Sequence, residues 1–341
     1  SGARIAANAT SSVALGSGAQ ATKSNSVSLG FTSNATGTSS TAIGSTANAS
    51  GNLSTAIGGT STAAGDRGVV IGYGAKGSTS LDLLAIGYNA NATGNGAFAG
   101  GASSSANGNN ALALGTSSNA IGPKTVAIGG DSKSTSDFAT AIGNSANANA
   151  LYSTAIGGNS SANAVTANAA GAIAIGSNVT AGAKASGADS IALGGQSVAG
   201  SATKANAIAI GKGASATGAN AISIGLGNQV SGDNSGAIGD PTIITGSGTY
   251  TLGNNNGTVA ANESGAFGNN NTITGALTGV RVVGNSNNIA ANNAMILGNN
   301  VTVGAAAANA VALGSNSSVT AVGGVALGSG SMRGASPGTT Y

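Results

Sequence analysis

The sequence predicts an all-β chain: a parallel β-solenoid, or β-roll, of about 22 short coils. Three observations predict it. The first is a phrase of large apolar residue, small residue, large apolar residue and Gly, which runs from Val13-Ala14-Leu15-Gly16 and Val27-Ser28-Leu29-Gly30 to Val325-Ala326-Leu327-Gly328. The second is its spacing, since 14 of the 21 intervals between successive motif glycines are 14 residues long. So short a period belongs to stacked coils rather than to a packed globule. The third is composition: Gly supplies 60 of 341 residues, aromatic residues 3%, charged residues 6%, and Trp and His are absent. A core without large aromatics is thin, with backbones close together.

The motif strand comes first in each coil. Residues two apart share a strand face, so the two large residues lie on one side and the small one on the other. The large side is expected to be dry, and the small side to lie close to another layer. On this reading Val13, Leu15, Gly16, Val27, Leu29, Gly30, Phe98, Ile208, Ile210, Gly211 and Phe267 belong to the structural core. The motif Gly then meets either a special backbone conformation or a close approach at a turn. A second, Ala-rich extended segment follows, as in Ala19-Gln20-Ala21 and Ala47-Asn48-Ala49, and a second turn leads to the next motif. Helices fit poorly, because Gly costs roughly 1 kcal/mol in a helix interior and Ser, Thr and Asn are also weak there. Stacked coils pair in parallel about 4.8 Å apart, which predicts a rod of roughly 100 Å. Asn and Thr at equivalent positions then form ladders.

Irregular copies test the register. Phe98-Ala99-Gly100-Gly101 has an aromatic residue three before its Gly and nothing large one before it, and Gly265-Ala266-Phe267-Gly268 does the reverse. Both read as volume traded between two inward positions. Gly236-Ala237-Ile238-Gly239 lacks such compensation, Tyr250 sets a hydroxyl inward, and Arg281 sets a charge there, which predicts a distorted coil or a shifted register. Two large side chains per coil do not offset the entropy of ordering the rest, so association about the long axis is expected.

Composition excludes several functions. The net charge of +3 is spread over isolated side chains, with none of the basic stripe that nucleic acid requires. Cysteine is absent, which removes disulfide and thiolate chemistry. No apolar run is long enough to span a membrane. The eight acidic residues form no obvious pair, and the closest two, Asp131 and Asp137, carry no catalytic signature. No enzyme activity, cofactor or metal is expected. A regular Thr array for ice binding is also missing, since Thr41, Thr55, Thr140 and Thr154 do not run in long succession.

Asn110-Ala111-Leu112-Ala113-Leu114-Gly115, Asn206-Ala207-Ile208-Ala209-Ile210-Gly211-Lys212-Gly213 and Asn220-Ala221-Ile222-Ser223-Ile224-Gly225 resemble the head repeats of trimeric autotransporter adhesins of the YadA-like type. The resemblance covers about residues 5–330. It implies a left-handed parallel β-roll, a homotrimer, and a bacterial cell-surface location, anchored in the outer membrane by a region not present here. It also implies attachment to host cells, extracellular matrix proteins or other surfaces. A purely structural fibre or autoaggregation segment in a biofilm is the alternative. The expected organisation is a regular roll over 5–252, an Asn-rich continuation over 253–330, and the start of a C-terminal linker over 331–341.

Departures from the 14-residue rhythm mark the candidate binding surface. The intervals ending at Gly176, Gly194 and Gly211 are 19, 18 and 17 residues. Insertions in solenoids map to loops on one face, so residues near 158–206 are expected to gather Lys184, Asp189, Gln196 and Lys204, although simple loop drift accounts for the same intervals. Tyr73 and Tyr88 follow a motif Gly and read as exposed anchors for a partner, or as covers for a turn.

Overall fold

The computed structural model describes residues 2–333. These residues form two compact units, divided after Gly171. Residues 334–341, most of the expected linker, lie outside the described residues. Met332–Arg333 instead forms a last strand paired with Ser318–Val319.

Both units are parallel β-solenoids. In the first, eleven motif strands run from Val13–Leu15 to Thr154–Ile156, and in the second eleven run from Ile173–Ile175 to Val325–Leu327. Successive copies pair in register, for example Val27↔Thr41, Ser28↔Ala42 and Leu29↔Ile43. A second ladder is built from two-residue strands such as Asn34–Ala35 on Asn48–Ala49. In the second unit this ladder reaches Gly257–Val259, and a separate five-stranded sheet starts at Thr272–Ile273.

The small residues, not the large ones, fill the interior. Ala42, Ala56, Ala99, Ala113 and Ala127 of the motif strands are fully buried, as are Ala35, Ala49, Ala106 and Ala120 of the short strands. In the alanine-lined coils before about residue 228, the two sheets face each other across a gap that admits little beyond a methyl or hydroxymethyl group. This reverses the expected sidedness. Val13, Leu15 and Phe267 are exposed on the outer face of the motif sheet, and Val27, Leu29, Phe98, Ile208 and Ile210 are half-buried there. Leu15 is 69% exposed, so the large face is not dry within one chain. The physical reason in the alanine-lined coils is thickness: a row of leucine or isoleucine facing the close-set alanines of the short strands would push the two sheets apart.

Turn chemistry holds each coil. The carbonyl of Gly30 accepts from Ser33 N–H and that of Gly37 from Ser40 N–H, and the Ser40 hydroxyl donates to the same Gly37 oxygen at 2.7 Å. The residue before each such Ser lies in the left-handed region, Thr32 at φ 50 and Ser39 at φ 54. The motif Gly meets both of its expected requirements. Gly115 has φ 131, and a Cβ there would stand 2.6 Å from the Gly129 carbonyl oxygen of the next coil.

The irregular copies are compensated, but on the outer face. The Phe98 ring covers Gly100, with Cε2 3.1 Å from where a Cβ would be, and the Phe267 ring covers Gly265 at 3.5 Å. Gly236 is compensated after all, by the Tyr250 ring of the following coil at 2.8 Å. Tyr250 is 46% exposed and needs no interior partner. Arg281 also points outward, donating to the Glu263 and Val280 carbonyls, and its strand keeps register with Met295–Leu297. Volume is traded inside as well. Leu83 is 1% exposed and occupies the space that a side chain at Gly77 would need.

From about Asn228 the interior changes. Val230, Ile244, Val259, Ile273, Ile289 and Val303 replace alanine on the short-strand side and are buried. The Asn-rich runs have a positional logic. Asn254 and Asn269 belong to an exposed ladder, in which Asn269 Oδ1 accepts from Asn254 N–H at 2.8 Å. Asn255 and Asn270 take the left-handed turn position at φ 55 and φ 56. Asn256, Asn271 and Asn287 form a buried ladder, with Asn271 Nδ2 donating to Asn256 Oδ1 at 3.1 Å and Asn287 Nδ2 to Asn271 Oδ1 at 2.9 Å.

Candidate functional site

Each coil presents four outer surfaces: the motif sheet, the first turn, the short-strand sheet and the second turn. The motif sheet is an apolar stripe. In the second unit Leu193, Ile238, Leu252, Val283, Leu297 and Leu327 are all exposed along it. No segment of the described chain lies over these residues to bury them.

Tyr73 and Tyr88 stand on the first turn, 60% and 57% exposed. Their rings stack on one another, 5.9 Å between centroids and 8° between planes. The other face of Tyr73 lies against Gly59, whose missing side chain leaves the room. Stacking follows from coil geometry, because equivalent side chains one coil apart sit at the strand spacing. The pair thus offers ring edges and hydroxyls more than ring faces. Phe138 and Tyr152, large residues outside the motif positions that the sequence also marks as anchors or turn covers, form a second stack on the second turn. There Phe138 and Tyr152 lie 5.0 Å apart, with the Lys124 ammonium 5.2 Å from the Phe138 centroid. All three take the left-handed turn position, one coil apart, and that repeated position was the available signal.

The structure does not bring Lys184, Asp189, Gln196 and Lys204 into one cluster. The insertion at 177–183 leaves the turn after a motif strand, whereas that at 200–206 leaves the turn after a short strand. Within the second unit these are opposite edges of the coil, so the expected gathering of loops on one side does not occur. Gln196 stands on the first edge and donates to Thr180 Oγ1 at 2.6 Å, tying down its own insertion. Lys204 stands on the second and pairs with both Asp233 oxygens at 2.8 and 2.6 Å. The Lys204 hydrogen bond, helped by Ala219 N–H, holds the Asp233 carboxyl below its usual value. Asp189 takes a left-handed turn position at φ 51, and Lys184 opens a short strand with its side chain exposed.

The other ion pair joins Arg67 and Asp82, with Arg67 Nη2 donating at 2.7 Å. Its hydrogen bonds hold Asp82 below and Arg67 above their usual values. This is an exposed pair one coil apart on the second turn, a surface strut of small energetic weight. Among the described residues no group of three His, Cys, Asp or Glu side chains is placed to hold a metal ion.

The stacked parallel coils, their motif glycines and their repeating turns coincide with a known repeat. The YadA head domain repeat matches residues 7–33, 35–52, 49–75, 84–104, 106–132, 134–160, 181–199, 202–228, 216–240 and 305–331. The chain belongs to the YadA head repeat family. YadA head domains are cell-surface structural adhesins and not enzymes. A search of curated proteins finds no match to this YadA-type head. The longer internal stretches the repeat leaves unmatched are 76–83, 161–180 and 241–304. The first contains the buried Leu83 and the second most of the insertion that follows Gly157. The third contains most of the Asn-laddered coils. No described helix is long and apolar enough to cross a membrane.

Proposed function

We propose that this chain is the adhesive head of a bacterial surface protein, acting as a homotrimer of left-handed rolls, tethered to the outer membrane by a region beyond this sequence. The observation that carries the reading is the exposed apolar stripe of the motif sheet, Leu15 and Leu327 among its members, in a chain of an adhesin family. A row of such side chains at every coil is the surface that self-association removes from water. The turns and the short-strand sheet then stay outside, and Tyr73, Tyr88, Lys184, Asp189, Gln196 and Lys204 are offered there to an extracellular matrix or cell-surface partner. Three copies of a weak site on one assembly raise avidity without new contacts. Residues 5–252 and 253–330 are read as a regular roll and a variant roll; the change of interior from alanine to valine and isoleucine begins before that boundary, at Val230.

Sedimentation of the purified head tests assembly, and binding to a panel of matrix proteins and cells tests adhesion. A monomer by sedimentation would overturn the trimer. A trimer that binds no member of the panel would favour the alternative of a spacer or autoaggregation segment. One observation points to that alternative: the tyrosine rings stack on each other, and Gln196 and Lys204 are engaged within the chain.

A further inference from the structure

The insertion after Gly157 gives the first unit a feature that its regular coils lack. Residues 158–165 include the short helical turn Ser161–Asn163 and lead into the strand Thr166–Ala167, which pairs with Asn147–Ala148. Beside this insertion lies a cavity of about 330 Å³ lined by Asp131, Lys133, Ser145, Asn147, Ser161 and Ala164. The coil repeat places four of these on a grid. Asp131 and Ser145 take the same left-handed turn position in successive coils, at φ 54 and φ 56, and Lys133 lies opposite Asn147 in the short-strand ladder. Such a grid measures roughly 5 Å by 7 Å from strand spacing and rise. The insertion adds Ser161 and one apolar contact, Ala164.

The groups on this grid are chemically unspent. Asp131 and Lys133 make no side-chain hydrogen bond or ion pair among the described residues, whose two ion pairs lie elsewhere. Asn147 Oδ1 is shut off from solvent and accepts no hydrogen bond. Asn34 and Asn119 carry the same orphaned oxygen at the same ladder position, so that oxygen belongs to the ladder and the cavity's own unpaired groups are Asp131 and Lys133. Ser145 donates to Asn144 Oδ1 at 3.2 Å, which leaves its own oxygen free to accept.

We propose that this cavity binds a single pyranose ring bearing a carboxylate, at the end of a surface glycan. Lys133 pairs with the sugar carboxylate. Asp131 accepts from neighbouring ring hydroxyls, and Ser145 and Ser161 complete the hydrogen bonding. Ala164 meets ring carbon. The volume is near the lower end of ligand cavities, about 300–1,000 Å³, which suits one ring and not a folded polypeptide segment. A neutral sugar leaves Lys133 without a counter-charge, and a simple amino acid leaves the hydroxyl-directed acceptors idle. The proposal deepens the adhesin reading and rests on it for its biological setting.

The test is a glycan array probed with the head, with sialylated, uronate-terminated and neutral arms, followed by titration with the methyl glycoside of the best acidic sugar. The expected result is retention on acidic arms only. Lys133→Ala and Asp131→Asn should each weaken binding at least tenfold, while their circular dichroism matches that of the parent. Lys76→Ala, at the same coil position but far along the unit from the 158–165 insertion, should bind as the parent does. Equal retention on neutral arms, undiminished binding by Lys133→Ala, or full competition by free α-amino acids would overturn the assignment. A blank array from a head that still attaches to cells removes the pocket and leaves adhesion standing. Acidic-glycan binding by a head that attaches to no cell supports the pocket and removes adhesion.

Discussion

Consecutive residues of one type do different work in this chain. In Asn269-Asn270-Asn271 the first side chain caps the backbone of the preceding coil, the second takes the left-handed turn, and the third is buried. Asn270→Gly should therefore be nearly neutral, since Gly accepts that conformation readily. Asn271→Ala should cost about 1–3 kcal/mol, because it deprives the Gly284 carbonyl and the Asn256 amide oxygen of a buried donor. Denaturant titration of the two variants side by side checks the contrast. Gly115→Ala should lower the melting midpoint, with strain of about 1–3 kcal/mol from its conformation alone and a clash with the Gly129 carbonyl besides.

At the scale of the element, period and strand type could be read directly, and so could the role of the motif Gly. Sidedness could not. Alternation along Val27-Ser28-Leu29 defines two faces but does not say which one meets the second sheet. That depends on how close the sheet lies, and the Ala-rich short strands set the distance. The compensation at Gly236 was equally hidden, because the filling ring, Tyr250, belongs to the next coil. The insertion near 158 was legible as an irregularity in spacing. Its cavity was not, because Asp131 and Lys133 sit in coils of ordinary length and meet the insertion only through stacking. The loop at 200–206 carries its own pH test. Lys204 holds Asp233 below the ordinary carboxylate value of 3.8, so this tether is complete above that value and is lost as pH falls through the lower folded-state value. Hydrogen exchange in the 200–206 loop, corrected for intrinsic rates, should rise in acid below 3.8 for the parent. Asp233→Asn should show the raised exchange already at neutral pH.

For the whole molecule, the same strand separates folding from assembly. Ala209 is fully buried and Ile210 beside it is half-buried on the outer face. Ile210→Asp should leave the circular dichroism of the roll in place and weaken self-association, seen as a smaller sedimenting species at a given concentration. Ala209→Leu should act oppositely, loosening the roll by overpacking that costs about 1–3 kcal/mol or more. If the aspartate variant unfolds and the leucine variant does not, the inside and outside of the coil have been misassigned.

The motif glycines form a column of bare backbone in each unit, each glycine seated on the carbonyl of the next. Such a junction does not depend on which coil supplies either half, so the unit of evolutionary growth is the coil itself. A duplicated segment such as 31–44 brings its own glycine, both turns and four small interior residues, and it should splice in as one more rung of about 4.8 Å. Gene lengthening by unequal exchange is then structurally cheap at any regular coil, whereas gain or loss of a single residue inside one is not. Reach and fold are inherited separately, and selection can adjust the first without disturbing the second.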